Sequence, residues 1–162
     1  LVAGDTNLTD AFVFDHASTV PPIESYCSAK LNSLGCLPAI TSGGEPHVGG
    51  ASDSFFLSAH NLRSAQVGLL LWSNGSASVP FFGGTLCVGG TIRRTTAQTS
   101  GGPPSPADCS GSYSFHFSQA FMASKSITPG LVLHGQFWSR DQGFPAPNNV
   151  GLTDAIRFTT AP

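Results

Sequence analysis

Apolar positions along this chain come in short runs, each closed off by glycine, proline, asparagine or serine. "SFFLSAH", "VGLLLWS" and "LVLHGQFW" are rich in Phe, Val and Leu, and none shows the period of an amphipathic helix. Short β-prone segments between turn residues predict an all-β chain. The predicted strands are Ala11–Asp15, Ser54–His60, Val67–Ser73, Ala77–Phe82, Thr85–Val88, Ile92–Thr95, Tyr113–Phe117, Val132–Arg140 and Ala155–Thr159. About nine strands with long loops suit an antiparallel two-sheet sandwich, jelly-roll-like in outline.

Turn chemistry refines this picture. Asn-Gly within "SNGS" (Ser73–Ser76) suits both positive-φ positions of a type I′ turn and predicts a hairpin there. The two Gly-Gly pairs of "FFGGTLCVGGTIRRT" predict bulges or tight corners. His116–Ser126 contains Gln, Ala, Met and Lys, which tolerate helix. Phe115, Phe117 and Phe121 alternate as on a strand, so the segment reads as irregular. Thr41–Asp53 and Thr99–Gly111 read as polar, flexible loops. Residues 1–20 hold one turn and one strand before the Pro21-Pro22 pair, and read as an edge strand or the tail of a preceding repeat. Residues 21–162 form the sandwich module.

Composition narrows the function classes. With 162 residues the chain has the size of one domain, able to bury a core. Charged residues make up 10%, against roughly 25% in an ordinary soluble domain. A net charge of −2 and two lysines, Lys30 and Lys125, argue against nucleic acid, whose phosphates need clustered Lys and Arg. No apolar run approaches the roughly 18 residues of a membrane-spanning helix, so no membrane insertion is expected. The opening "LVAGDTNLTD" has neither Met nor a signal-peptide pattern, and a processed or excised part of a longer product is expected.

Cys27, Cys36, Cys87 and Cys109 are widely and irregularly spaced, with no CxxC, which disfavours zinc. An even count in a Lys-poor chain suggests two disulfides and an extracellular setting. Of three connectivities, Cys27–Cys36 with Cys87–Cys109 closes the most local loops and is the expected one.

No specific catalytic pattern is present. GxSxG is missing, so there is no nucleophile elbow. The histidines, His16, His47, His60, His116 and His134, show no spacing that grips a metal from one element. Only two glutamates occur, Glu24 and Glu45, and most aspartates adjoin turn residues, a poor basis for a glycosidase pair. Asp5, Asn7 and Asp10 offer oxygens at the close spacing calcium prefers, although an Asx-turn explains them as well. No other cofactor is implied. Carbohydrate recognition fits better, because sugar faces pack on aromatic rings while Asn, Asp and Arg read hydroxyls. Trp72 and Trp138 are the candidate platforms, each also placed to fill the core. Arg140, Asp141, Asn148 and Asn149 lie in the following stretch, which reads as strand, rigid loop, strand. Arg140 is a candidate partner for Asp141 or Asp154.

From Tyr26 onward, "YCSAKLNSLGCLPAI", "GLLLWSNG", "VPFFGGTLCV", "RRTTAQTSGG", "DCSGSYSFHF" and "PGLVLHGQFWSRDQGFPAPNNVGLTDAIRFT" resemble a secreted module. Such modules close large extracellular proteins of planctomycetes and related environmental bacteria. The resemblance implies a secreted bacterial accessory domain and supplies no catalytic residues. The N-terminal "GDTNLTDAFVFD" resembles the end of the DTNG repeats of bacterial β-propeller-like proteins, with Leu8 where Gly is usual. The expected function is therefore non-catalytic: binding polysaccharide or a cell-surface glycan, or attachment at the cell surface. The alternative is a structural subunit that self-associates into a filament or surface layer, with a strand near Leu1–Asp15 donated to a neighbour.

Overall fold

The computed structural model describes residues 20–50 and 52–162. The predicted strand Ala11–Asp15, the N-terminal edge strand or repeat tail, and the calcium trio Asp5, Asn7 and Asp10 lie outside the described residues.

The chain first lays down β1 (Glu24–Tyr26), β2 (Ala39–Gly43), β3 (Phe56–Leu62) and β4 (Val67–Ser73). It continues through β5 (Gly75–Phe81), β6 (Gly84–Gly89), β7 (Arg93–Arg94) and β8 (Gln98–Thr99). β9 (Gly111–His116), the short helix α1 (Gln119–Ser124), β10 (Val132–Arg140) and β11 (Val150–Thr159) complete it. The main sheet has the order β1-β11-β10-β4-β7, with β8 also paired to β4. The second sheet is β2-β3-β9, and β5-β6 is a separate two-stranded ribbon.

This is the expected all-β sandwich with two disulfides. Its core lies between the two sheets. Strand alternation sends Leu57 and Ala59 of β3 inward against Leu70 and Trp72 of β4, Phe137 of β10 and Phe158 of β11. Each such side chain contributes about 1.5–3 kcal/mol by leaving water. Trp72 is buried there with Phe117 and Phe121 edge-on to its ring, at 5.6 and 5.7 Å.

β10 departs from simple alternation, being buried continuously from Leu133 to Phe137. Its inner face meets the core, and its outer face lies beneath the ribbon. Gly84 is why the ribbon can approach so closely: a Cβ there would stand 2.9 Å from Leu152 Cδ1 and 3.1 Å from Lys30 Cβ. Gln136 fastens the layers. Its Oε1 accepts from Cys87 N (2.9 Å), and its Nε2 donates to Thr85 O (3.0 Å) and Thr153 O (2.8 Å).

Several sequence expectations change. The hairpin is not at "SNGS": β4 and β5 do not pair, and neither Asn74 nor Gly75 has positive φ. Ser73 Oγ, 2.6 Å from Gly89 O, accepts instead from Gly75 N (3.1 Å) and leads the chain out of the sheet into the ribbon. The two-residue hairpin loop is Phe82-Gly83, at φ 44° and 78°, with Phe81 opposite Gly84. Two consecutive positive φ values are what a type I′ turn requires. His116–Ser126 is not irregular throughout, because Ser118 caps α1 by accepting from Phe121 N (3.1 Å). Phe117 and Met122, both buried, take the positions of a hydrophobic staple around that cap. The Thr99–Gly111 loop is pinned, since Ser64 Oγ accepts from Asp108 N and donates to Pro103 O.

The disulfides join Cys27 to Cys87 and Cys36 to Cys109, so the local pairing is corrected. Tertiary structure decides this. The first bridge ties the segment after β1 to the ribbon over the main sheet, and the second ties the β1–β2 connection to the approach to β9. Sequence separations of 60 and 73 imply about 4 kcal/mol each in the chain-entropy model. The Cys36→Ser/Cys109→Ser double variant is expected to lose about that much in urea unfolding. A loss below about 1 kcal/mol would contradict it.

Candidate functional site

The ribbon does not cover the whole outer face of the main sheet. Beyond its tip a cleft of about 460 Å³ remains open. Leu69 and Leu71 of β4, with Trp138 of β10, form its floor. These residues share a face because Trp138 pairs with Leu69 and Gln136 with Leu71. Phe81 and Phe82 make one wall, their rings edge-to-face at 4.6 Å. Arg94 enters opposite Leu71 from β7, and Arg140 ends β10. Pro147 and Asn149 close the side formed by the β10–β11 loop.

Three fasteners shape this cleft. Lys30 Nζ sits at 2.5, 2.7 and 3.0 Å from the carbonyls of Asn148, Val150 and Phe82, using all three donors to tie hairpin tip to loop. Burial lowers its pKa, and Asp141 partly offsets that. Asp141 is 1% exposed and organises the loop: its carboxylate accepts from Ser33 N (2.8 Å), Ser33 Oγ (2.5 Å) and Gly143 N (3.2 Å). Gly83 provides the third, since a Cβ there would meet Asn148 Oδ1 at 3.1 Å. Phe82 takes the neighbouring left-handed position despite its side chain, a strain of about 1–2 kcal/mol, and is itself 47% exposed.

The predicted site residues therefore divide. Trp138 is half-buried on the cleft floor, with the Arg140 guanidinium 5.8 Å from its ring centre, and Asn149 lines the same cleft. Trp72 is core, 2% exposed, and offers no platform. Asp141 is internal architecture. Arg140 pairs with neither Asp141 nor Asp154; the ion pairs among the described residues are His47–Glu45, His116–Asp53 and Arg157–Glu24. Asp154 instead accepts from Ile40 N (2.8 Å). Asn148 faces a neighbouring depression with Lys30 and Phe144. Phe81, Phe82, Arg94 and Lys30 were not singled out from sequence. The "FFGG" turn and the "RR" after a Gly-Gly pair were the available signals.

The histidines in the described residues do not converge. His60 lies 3.1 Å from Thr41 Oγ1, His116 stacks on Phe56 at 4.3 Å, and His47 bonds Glu45 and the Pro162 carbonyl. No group of three metal-ligating side chains occurs among the described residues. His134 is buried in a small recess with Tyr26, Glu24 and Arg157. The Tyr26 hydroxyl donates to Cys87 O (2.7 Å), so His134 Nδ1, at 2.9 Å, donates to it. Burial pushes the Tyr26 pKa up to about 12. Burial first, then Arg157, holds His134 below its ordinary value.

No described helix is long and apolar enough to cross a membrane. The chain matches no protein-family model, no curated protein and no solved structure.

Two outcomes are expected. Asp141→Ala strands the Ser33 and Gly143 donors and should cost about 3 kcal/mol, with faster amide exchange at both. Unchanged exchange would remove Asp141 as the loop's anchor. The His134 proton is resisted by the fold and accepted by the unfolded chain. Its contribution to stability is therefore intact above pH 6.5, the ordinary histidine value, and declines as pH falls below it. His134→Gln should flatten the drop in urea midpoint between about pH 7 and 5; an unaltered slope would contradict this.

Proposed function

We propose that this chain is a non-catalytic, extracellular β-sandwich module that binds carbohydrate through the Trp138 cleft. The observation that carries the reading is the cleft's make-up. An indole floor and two phenylalanine rings offer CH-packing surfaces, while Asn149, Arg94 and Arg140 offer hydrogen-bonding groups around them. Two long-range disulfides fit an oxidising, extracellular setting. Resemblance to bacterial accessory modules supports a place within a larger secreted protein. The binding surface is assembled on a sheet, a tight hairpin and a pinned loop, so little ordering cost attends ligand entry.

Retention of the whole chain on insoluble cellulose, chitin, xylan and pectate tests the reading. Trp138→Ala should keep its fold and lose at least about tenfold in retention, equivalent to about 1.4 kcal/mol. Trp72→Ala should instead lose about 3–5 kcal/mol of stability, as a core truncation does. Full retention by Trp138→Ala would move binding elsewhere. No retention on any polymer, with a concentration-dependent multimer, would favour the self-assembling alternative.

A further inference from the structure

We infer that the Trp138 cleft selects an acidic sugar, its carboxylate held by Arg94 and Arg140. The inference rests on the carbohydrate reading above and adds the ligand's charge. Both arginines line the cleft, and among the described residues no Asp or Glu does. Neither guanidinium takes part in the ion pairs of the described residues. The nearest carboxylate in sequence, Asp141, is buried and turned to Ser33.

Placement favours a sugar over a bare anion. Arg94 comes from β7 opposite Leu71, and Arg140 lies two residues beyond Trp138, so the indole floor belongs to the same cleft as both cations. The planar guanidinium matches a carboxylate through two parallel hydrogen bonds. A hexuronate carries that carboxylate at the edge of an otherwise CH-rich ring, which can pack on Trp138. Arg140 now lies over the indole; its exposed side chain can swing aside, yielding the ring to the sugar while its charge turns to the carboxylate. The chain's net charge of −2 gives no general attraction for polyanions, so recognition must be local.

Calorimetric titration of the whole chain with oligogalacturonides, cello-oligosaccharides and dextran sulfate tests this, with Trp138 emission followed in parallel. Uronate is expected to bind at least about tenfold more tightly than the neutral oligomer. R94Q and R140Q should each weaken it about tenfold, and about 1 M salt should weaken it further. R93Q, at a neighbouring exposed position outside the cleft, should bind as the unsubstituted chain does. Equal binding of neutral and acidic oligomers, insensitive to R94Q and R140Q but lost in W138A, would overturn the acidic-sugar inference and leave the carbohydrate reading standing. Equal weakening by R93Q would replace the cleft by diffuse charge, and a preference for dextran sulfate would exclude the carboxylate. Absence of binding to all three would sink the acidic-sugar inference, and absence of retention on chitin and xylan as well would sink the carbohydrate reading with it.

Discussion

The outer half of this fold depends on one buried neutral amide. Gln136 is fully enclosed at the centre of β10, and its carboxamide bonds to Cys87 and Thr85 on the ribbon and to Thr153 on β11. Leaving any of those groups unpaired in the interior would cost about 1–3 kcal/mol, so ribbon, central strand and bulge are mutually set. The bulge changes the phase of β11. Ala155 pairs with Gln136, but beyond the irregularity Leu152 pairs with Trp138 and Val150 with Arg140. A one-residue offset exchanges the faces of a strand, so along β11 even-numbered positions face outward before the bulge and odd-numbered ones after it. Leu152 thereby meets the ribbon, and Val150 reaches the cleft wall. Thr153 makes the offset tolerable, its hydroxyl accepting from Phe137 N (3.0 Å) in place of a ladder bond.

Scarce charge is spent mostly on internal fastening. Lys30 clamps three carbonyls, Asp141 gathers the β10–β11 loop, Asp154 receives the Ile40 amide, and Arg157 meets Glu24. Lys125 and Arg93 rest on aromatic rings of the core cluster, Phe121 and Trp72. Against that usage Arg94 and Arg140 stand apart, because both line one cleft that no carboxylate of the described residues lines.

The legible parts of the fold were those decided by local chemistry. Val67–Ser73 and Val132–Arg140 appear with their predicted bounds, since each is an apolar run cut off by Asn-Gly or Asp-Gln-Gly. β1, β2 and β8 carried little signal, being short and mostly exposed edge segments held by their neighbours. The Asn-Gly hairpin was overridden because Ser73 captures the turn, while Phe-Gly took the type I′ role against the propensity of Phe. Disulfide connectivity was illegible for a related reason: the ribbon's position is set by Gln136, which sequence distance does not report. In the site, Trp138, Arg140 and Asn149 were readable from one continuous stretch. Arg94, Phe81 and Phe82 reach it only through the ribbon and β7, and no spacing rule connects them to Trp138.

The strained hairpin tip ties these observations together. Phe82 would be relieved by any residue better suited to positive φ, yet the residue remains 47% exposed, where it adds less to folding than a core phenylalanine does. Lys30 grips the carbonyl of that same residue, and Asn148 closes on the adjoining Gly83. The tip is therefore over-determined from below, which is the condition under which local strain persists. It fixes Phe81 and Phe82 as the cleft wall beside Leu69 and Leu71 of the floor. The apolar floor of Leu69, Leu71 and Trp138 thus stays open beside Arg94 and Arg140, neither of which enters an ion pair among the described residues.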